Sequence, residues 1–145
     1  MGGSWGPPCT RPWTYGLMDS WTYWSHSVSE IPRVDKPWGY ELHWAKTDRY
    51  VGKIIHIDKG HALSLQYHNK KDETIMLLSG KLLFEIQEHG ELARHEVAPL
   101  QPFHVSPGTV HRMTAIEDCD VVEVSTPELD DVVRLEDRYG RQDGK

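Results

Sequence analysis

The sequence lacks the features that characterise disulfide-rich, membrane-spanning and secreted proteins. Cysteine occurs only twice in 145 residues, at Cys9 and Cys119, so we do not expect a disulfide framework and we predict a reducing, cytoplasmic location. No apolar run approaches the roughly 20 residues that a membrane-spanning helix requires. The N-terminus lacks the charged start and the apolar centre of a secretory signal. We therefore predict no membrane association.

Positive charge is also scarce. Lys and Arg number 16 against 22 Asp and Glu, which gives a formal net charge of −6, and no block of basic residues offsets this excess. Binding to nucleic acid requires clustered cations that neutralise phosphates, so we predict no nucleic-acid partner. A single sugar phosphate needs only two or three local Lys or Arg side chains. Binding of a small anionic ligand therefore remains possible.

Helical periodicity is nearly absent from residue 33 onward. Short β-rich runs alternate with turn residues every eight to twelve positions, which predicts an all-β sandwich or barrel of about nine strands in one domain. Residues 128–135 leave two possibilities open, a helix or a final edge strand. Besides a strand that carries Gln66 and His68, the predicted strands cover residues 40–45, 50–57, 74–78, 81–88, 92–97, 102–105, 110–116 and 120–125.

Residues 1–30 differ in composition from the rest of the chain. They contain four of the six Trp residues and three Pro residues, with only three charged side chains. Because Pro7, Pro8 and Pro12 interrupt any regular element, we predict a flexible extension that precedes a domain at residues 31–145. The alternative is an aromatic arm that packs on a partner subunit or covers the barrel.

Four polar side chains form a candidate metal site. Gln66 and His68 are two residues apart and would leave the same face of a strand. A polar turn follows, and Glu73 opens an apolar run that we interpret as the return strand, so these side chains should converge at one end of a hairpin. The turn at Pro107-Gly108 would bring His111 to the same place. Two nitrogens and two or more oxygens suit a divalent ion such as zinc, manganese, iron, cobalt or nickel.

The joint spacing is more informative than any one of these residues. The first pattern consists of Gly60, five residues, Gln66-x-His68, four residues, Glu73, six residues and Gly80, and the second is Gly-x-x-His111. Together they resemble the two sequence motifs of the cupin family. The family usually has His-x-His in the first motif, and here Gln66 replaces the first histidine. The resemblance implies a double-stranded β-helix, a small jelly-roll barrel with a metal ion in its mouth.

The Gln-x-His variant is similar to one branch, the cupin domain of type II phosphomannose isomerases, which is often fused to a guanylyltransferase. Residues 36–41 (Lys-Pro-Trp-Gly-Tyr-Glu), 50–53 (Tyr-Val-Gly-Lys) and 131–141 resemble that branch's opening motif, second strand and closing segment. The match implies that Gln66, His68, Glu73 and His111 bind the metal, with zinc as the first candidate. It also implies reversible interconversion of mannose 6-phosphate and fructose 6-phosphate.

Three further residues are candidates for the chemistry. Lys53, by its match to the second strand, and Arg134, in the closing segment, would hold an anionic group or move a proton. His104 lies seven residues before His111, and an imidazole has the proton affinity that general-base catalysis needs near neutral pH. Ordinary solvated charges are the alternative for Lys53 and Arg134. The remaining histidines match no motif, and we interpret them as core or surface residues.

This sequence departs from the isomerase branch at several positions, so other functions remain possible. Residues 68–74 lack the usual His- and Arg-rich character, and Ser106 replaces a common Pro. The alternatives are a non-catalytic, metal-dependent binder of a sugar or metabolite and a metal-dependent dioxygenase. Gln66 argues against the dioxygenase, since those sites usually carry three imidazoles. The open strand edges of a small barrel lead us to predict a homodimer.

Overall fold

The computed structural model describes residues 30–141, which form an all-β structure of two antiparallel sheets. The predictions for the N-terminal extension and for Cys9 lie outside the described residues. No helix within residues 30–141 is long and apolar enough to span a membrane. The strands are β1 (Arg33–Lys36), β2 (Gly39–Lys46), β3 (Val51–Ile57), β4 (Leu65–Tyr67), β5 (Glu73–Ser79), β6 (Leu82–Glu88), β7 (Glu91–Val97), β8 (Pro102–Val105), β9 (His111–Ala115), β10 (Cys119–Ser125) and β11 (Val133–Glu136).

The two sheets have the strand orders β1-β2-β3-β10-β5-β8 and β11-β4-β9-β6-β7. Strands that are distant in sequence are neighbours in both sheets, as in a jelly-roll barrel and as the resemblance implies. The all-β prediction is therefore confirmed. The described residues contain two strands more than predicted. The additions are β1, which pairs with β2, and β11, which pairs with β4 and settles the open question at residues 128–135 in favour of a strand.

The predicted hairpin around the candidate metal site is wrong. β4 carries Gln66 and pairs with β9 and β11, whereas β5 begins at Glu73 and pairs with β10 and β8 in the other sheet. The polar turn at residues 69–72 therefore connects the two sheets and does not close a hairpin. Periodicity along a strand shows which residues share a face, but it does not identify the partner strand.

A second crossing between the sheets depends on Gly80, which connects β5 to β6. Its φ of +90° lies in the left-handed region, and a Cβ at this position would lie 1.9 Å from the carbonyl oxygen of Asp118. Only glycine fits such a close approach of two backbones without rearrangement. This bend at Gly80 lies where the chain passes from one sheet to the other.

The space between the sheets is filled by apolar side chains at one end. Phe84, Leu82, Ile55, Leu77 and Val121 are all at most 1% exposed. Phe84 also makes an edge contact with Phe103, with 5.2 Å between the ring centroids. Burial of these large side chains removes enough apolar surface from water to stabilise a domain of this size. The other end of the same interior contains the polar side chains described next.

Candidate metal centre

The two sheets bring three of the four predicted ligands together. His68 follows β4, Glu73 opens β5 and His111 opens β9. One ligand atom from each side chain lies within 4.8 Å of the others. Glu73 Oε1 is 3.3 Å from His68 Nε2 and 3.1 Å from His111 Nε2. All three side chains are 4% exposed, so the cluster lies inside the barrel.

Hydrogen bonds on the far side of each ring fix which nitrogen faces the cluster. Nδ1 of His68 donates to the carbonyl oxygen of Asp131, and Nδ1 of His111 donates to the carbonyl oxygen of Thr109 over 3.0 Å. A neutral imidazole that donates from Nδ1 presents a lone pair at Nε2. Histidine ligands of metal ions are held in this way.

The chemistry of the cluster fits a bound cation. Two Nε2 lone pairs point toward a carboxylate oxygen that is itself rich in electrons, and His68 Nε2 has no hydrogen-bond partner among the described residues. Such an arrangement in a buried place is unfavourable unless positive charge lies between the atoms. Two imidazole nitrogens and one carboxylate oxygen form the kind of three-residue donor set that leaves further coordination positions open.

The environment of Glu73 keeps its carboxyl group ionised. Burial alone would raise the pKa of Glu73, but the surrounding groups, the positive charge of Lys71 among them, outweigh burial and hold the pKa well below its ordinary value. Lys71 Nζ contacts the second carboxylate oxygen, Oε2. Oε1 is therefore the oxygen that remains available on the side of the two histidines.

Gln66, the fourth predicted ligand, lies beside the cluster. It pairs with His111 across the β4–β9 ladder and lines the same cavity as His68. Its Oε1 accepts a hydrogen bond of 2.6 Å from the hydroxyl of Ser64. The structure thus places Gln66 next to the three converging side chains, with its oxygen held by a neighbour.

Asp131 positions the loop that carries His68. Its carboxylate accepts backbone N–H bonds from Asn69, Lys70 and Lys71, with distances of 3.0, 2.5 and 2.8 Å. These bonds hold the pKa of Asp131 well below its usual range. Its carbonyl accepts the bond from His68. Gly108 N also donates to His68 O over 2.7 Å, which ties the turn before His111 to the first motif.

The cluster borders a cavity of about 250 Å³ between the sheets. Two of the predicted catalytic residues, Lys53 and Arg134, line this cavity together with Gln66 and His68. His104 does not. Its ring is 60% exposed and its Nε2 lies 3.0 Å from Asp72 Oδ1, on a strand position outside the cavity. The structure therefore does not bring the proposed general base to the candidate site.

A series of buried ion pairs, which the sequence analysis missed, runs along the cavity wall from Glu73. Lys71 Nζ lies 2.8 Å from Glu123 Oε1, and Lys53 Nζ lies 3.5 Å from the same oxygen and 3.7 Å from Glu41 Oε2. Burial would lower the pKa of Lys71, but Glu123 and Glu73 raise it above its ordinary value. The two lysines of this series therefore offset most of the negative charge of its three carboxylates.

One pattern in the sequence predicts part of this series of ion pairs. Glu123 is two residues from Val121 and four from Cys119 on β10, and both of those residues are fully buried. The period of two therefore places Glu123 on the inner face as well. Lys71 follows no such pattern, because it lies in the loop between two strands, where no periodicity applies.

Arg134 differs from the other permanent cations around the cavity. Lys36, Lys53, Lys71 and Arg141 each lie within 4.0 Å of a carboxylate. Arg134 makes no such pair among residues 30–141, and its buried Nε has no hydrogen-bond partner. A guanidinium presents several donors in one plane, a geometry that suits a carboxylate or phosphate. Arg134 is therefore the cation most available to an anionic ligand.

Comparison with known proteins identifies the family. Residues 25–137 match the family model described as mannose-6-phosphate isomerase C-terminal. Two curated relatives, the mannose-1-phosphate guanylyltransferase ManC of Salmonella typhimurium and the mannose-1-phosphate guanylyltransferase of Escherichia coli, are each 33% identical to the chain over 116 residues. The matches cover 74% of this chain and 23% of each relative. The chain thus spans about a quarter of the length of these enzymes.

Solved structures with the same fold share little sequence. The capsular polysaccharide assembling protein CapF of Staphylococcus aureus superposes with a TM-score of 0.61 at 20% identity, over 74% of this chain and 34% of CapF. KdgF of a Halomonas species gives 0.59 at 23%, over 70% and 92%. Oxalate decarboxylase of Bacillus subtilis gives 0.65 at 14%, over 73% and 30%. At these identities the likeness shows the fold alone, and that fold is the cupin barrel. The chain therefore belongs to the mannose-6-phosphate isomerase C-terminal family of cupin domains.

Proposed function

We propose that this domain is a metal-dependent aldose–ketose isomerase that acts on a sugar phosphate of the mannose 6-phosphate and fructose 6-phosphate type. One observation carries the proposal. Two imidazole Nε2 atoms and a carboxylate oxygen converge beside a polar cavity that also contains the unpaired Arg134. The matching family model supports the sugar class. The curated relatives are guanylyltransferases by name, so the isomerase activity must be tested directly.

The residues that would hold the ion are His68, Glu73 and His111, with Gln66 as a fourth ligand. A divalent cation bound to this set supplies Lewis-acid polarisation of a substrate carbonyl. Zinc is the first candidate, and manganese, iron, cobalt and nickel suit the same donors. Lys71 and Asp131 hold Glu73 and His68 in place through the contacts described above.

Arg134 would bind the phosphate group. Because each of the other permanent cations around the cavity already lies near a carboxylate, a phosphate placed elsewhere would have to displace an existing ion pair. Lys53 belongs to such a pair with Glu41 and Glu123. Its ammonium lies on the cavity wall, where it would donate hydrogen bonds to the hydroxyl groups of the sugar.

The size of the cavity favours a single sugar unit. Small-molecule sites commonly have volumes of roughly 300 to 1,000 Å³, and this cavity of about 250 Å³ lies below that range. A monosaccharide phosphate would occupy most of it, whereas an oligosaccharide would extend into solvent.

The test combines metal analysis with a turnover assay. Purified protein is loaded with zinc or manganese, and elemental analysis compares the wild type with His111→Ala. Mannose 6-phosphate is then supplied and fructose 6-phosphate is measured, together with a panel of phosphorylated and free sugars. We expect turnover by the wild type and loss of both metal and turnover in His111→Ala. A loss of about 90% of turnover in Arg134→Gln with unchanged metal content would support its role in phosphate binding, since a charge-assisted bond to phosphate would be removed.

Other outcomes distinguish the alternatives. If the wild type holds metal and binds sugar phosphates but converts none of them, the domain is a metal-dependent binder. If the bound metal is iron and the protein consumes oxygen, the dioxygenase alternative gains support. If neither the wild type nor His111→Ala retains a divalent ion, the metal site itself is refuted.

A further inference from the structure

A histidine and a glutamate on β2 form a pair in the cavity that no sequence motif identified. His43 Nε2 lies 2.8 Å from Glu41 Oε2, and both residues line the cavity together with Gln66 and His68. The two side chains are 17% and 12% exposed. Because they are two residues apart on one strand, both leave the same face of the sheet.

Strand register places His43 within the polar wall. His43 pairs with Lys53 on β3, and Lys53 pairs with Glu123 on β10, so these three residues form one row across three neighbouring strands. Glu41 Oε1 lies 3.6 Å from Lys36, and Glu41 Oε2 lies 3.7 Å from Lys53. Glu41 is thus the link between the imidazole and the series of ion pairs that ends at Glu73.

The carboxylate determines which nitrogen of His43 can act as a base. When Nε2–H donates to Glu41, Nδ1 carries the lone pair. Within residues 30–141 the side-chain hydrogen bond of His43 is the one through Nε2. A carboxylate that orients an imidazole and stabilises its protonated form is a recurrent device in general-base catalysis.

Other groups of the wall are less suited to take a proton. Lys53 and Lys71 each lie within 4.0 Å of two carboxylates, so their ammonium groups are engaged in ion pairs. Glu123 Oε1 lies 3.5 Å from Lys53 Nζ and 2.8 Å from Lys71 Nζ, so its carboxylate is engaged by both lysines. His68 and His111 present their free nitrogens to Glu73. His43 is the remaining imidazole on the cavity wall.

We propose that His43, oriented by Glu41, is the general base that carries the proton between the two reacting carbons of the sugar. The assignment rests on the proposed isomerase function and goes beyond it, because it replaces His104 with a residue that lies in the cavity. His43 is the catalytic residue, since it would touch the substrate, and Glu41 is a positioning residue.

Protons and electrons balance in this reaction without a co-reactant. Nδ1 of His43 removes the proton from C2 of the aldose, the C2–H electron pair forms the C1=C2 double bond, and the carbonyl oxygen at C1 takes up a proton from solvent water. The resulting enediol then loses the proton of the C2 hydroxyl to solvent water and forms the C2 carbonyl. The C1=C2 electron pair takes the proton from His43 at C1. The aldose becomes the ketose, and His43 is restored to its neutral form.

Deuterium incorporation tests the proposal. Mannose 6-phosphate is incubated in D₂O with metal-loaded protein, and deuterium at the reacting carbons is followed by NMR. We expect the wild type to incorporate deuterium and His43→Gln to do so at least about 100-fold more slowly. His43→Ala should recover part of the rate when free imidazole is added, which a purely structural role would not produce. Glu41→Gln should reduce kcat more than it changes KM.

Matched controls make the result interpretable. His95 and Glu88 form another His–Glu pair, 3.1 Å apart at the surface, so His95→Gln should leave exchange unchanged. Metal content and Tm of each variant show whether the protein remains folded. If His43→Gln exchanges at the wild-type rate, or if imidazole does not rescue a folded, metal-loaded His43→Ala, the assignment of His43 is wrong. If the wild type neither exchanges nor converts any sugar phosphate of the panel, the proposed function fails as well.

Discussion

The two ends of the barrel interior are built from the same strands but from opposite kinds of side chain. Along the inner face of β3, Lys53 is followed by Ile55 and Ile57. On the antiparallel strand β10, Cys119 and Val121 precede Glu123. β5 begins with Glu73 and continues with Ile75 and Leu77, whereas β9 begins with His111 and continues with Met113 and Ala115. The barrel thus has a polar end and an apolar end.

This difference separates stability from function within one cavity. The apolar end contributes free energy of folding in proportion to the surface it buries. The polar end carries the costs of desolvating charges, which ion pairs only partly offset. A domain optimised for stability alone would have continued the apolar side chains to the end of each strand. We infer that the polar end is maintained for ligand binding.

The largest effect is expected from a truncation at the apolar end. Phe84 is fully buried, so Phe84→Ala should lower the free energy of unfolding by about 3–5 kcal/mol. Equilibrium denaturation in urea measures this loss. A folded fraction of the variant should still bind metal, because the ring belongs to the core and not to the ligand set. A loss below 1 kcal/mol would show that the apolar end contributes little to stability.

A smaller but still large effect is expected at the polar end when one charge is removed. Lys71→Met leaves Glu73 and Glu123 without their shared cation, and breaking a buried pair in this way costs about 3 kcal/mol. Thermal and urea denaturation of the metal-free protein give the value. Adding Glu123→Gln should recover part of the loss. Lys81→Met is the matched control, since Lys81 pairs with Glu96 at the surface, and its stability should be unchanged.

The sequence predicted the fold class and most strands because alternation of buried and exposed residues is a local property. It also predicted that His68, Glu73 and His111 converge, since their spacing forms two short motifs. Partner strands are not local, so the sequence suggested a hairpin where the chain crosses between sheets. His43 and Lys71 were missed for the same reason, because their roles depend on residues that register and loop geometry bring near them.

A third prediction concerns metal as a stabiliser of the polar end. A cation that binds only the folded protein raises stability by RT ln(1 + [M]/Kd), or about 2.7 kcal/mol at 100 times the Kd. Zinc or manganese should therefore raise the Tm of the wild type, and a chelator should reverse the change. His111→Ala should show no such shift. An equal shift in both proteins would mean that the ion binds somewhere other than the predicted site.

The smallest predicted effect concerns pH and lies outside the cavity. Glu85 is nearly buried, and its carboxylate accepts hydrogen bonds from Arg112 and Arg94. The contact with Arg112 and the charges of both arginines outweigh burial and lower the pKa of Glu85 below its ordinary 4.5. A group whose pKa is lower in the folded state contributes stability above its unfolded pKa and loses that contribution as the pH falls through the folded value.

The wild type should therefore lose stability progressively as the pH falls below about 4.5, and Arg112→Gln should lose less over the same range. The two curves should approach each other at low pH, because the ion pair no longer distinguishes the proteins once Glu85 is protonated. Urea denaturation at a series of pH values measures both curves. Parallel curves would show that this ion pair adds no stability, which is common for pairs in contact with water. Removing a charge from the outer face would then leave the free energy of unfolding unchanged, whereas removing Lys71 at the polar end would lower it.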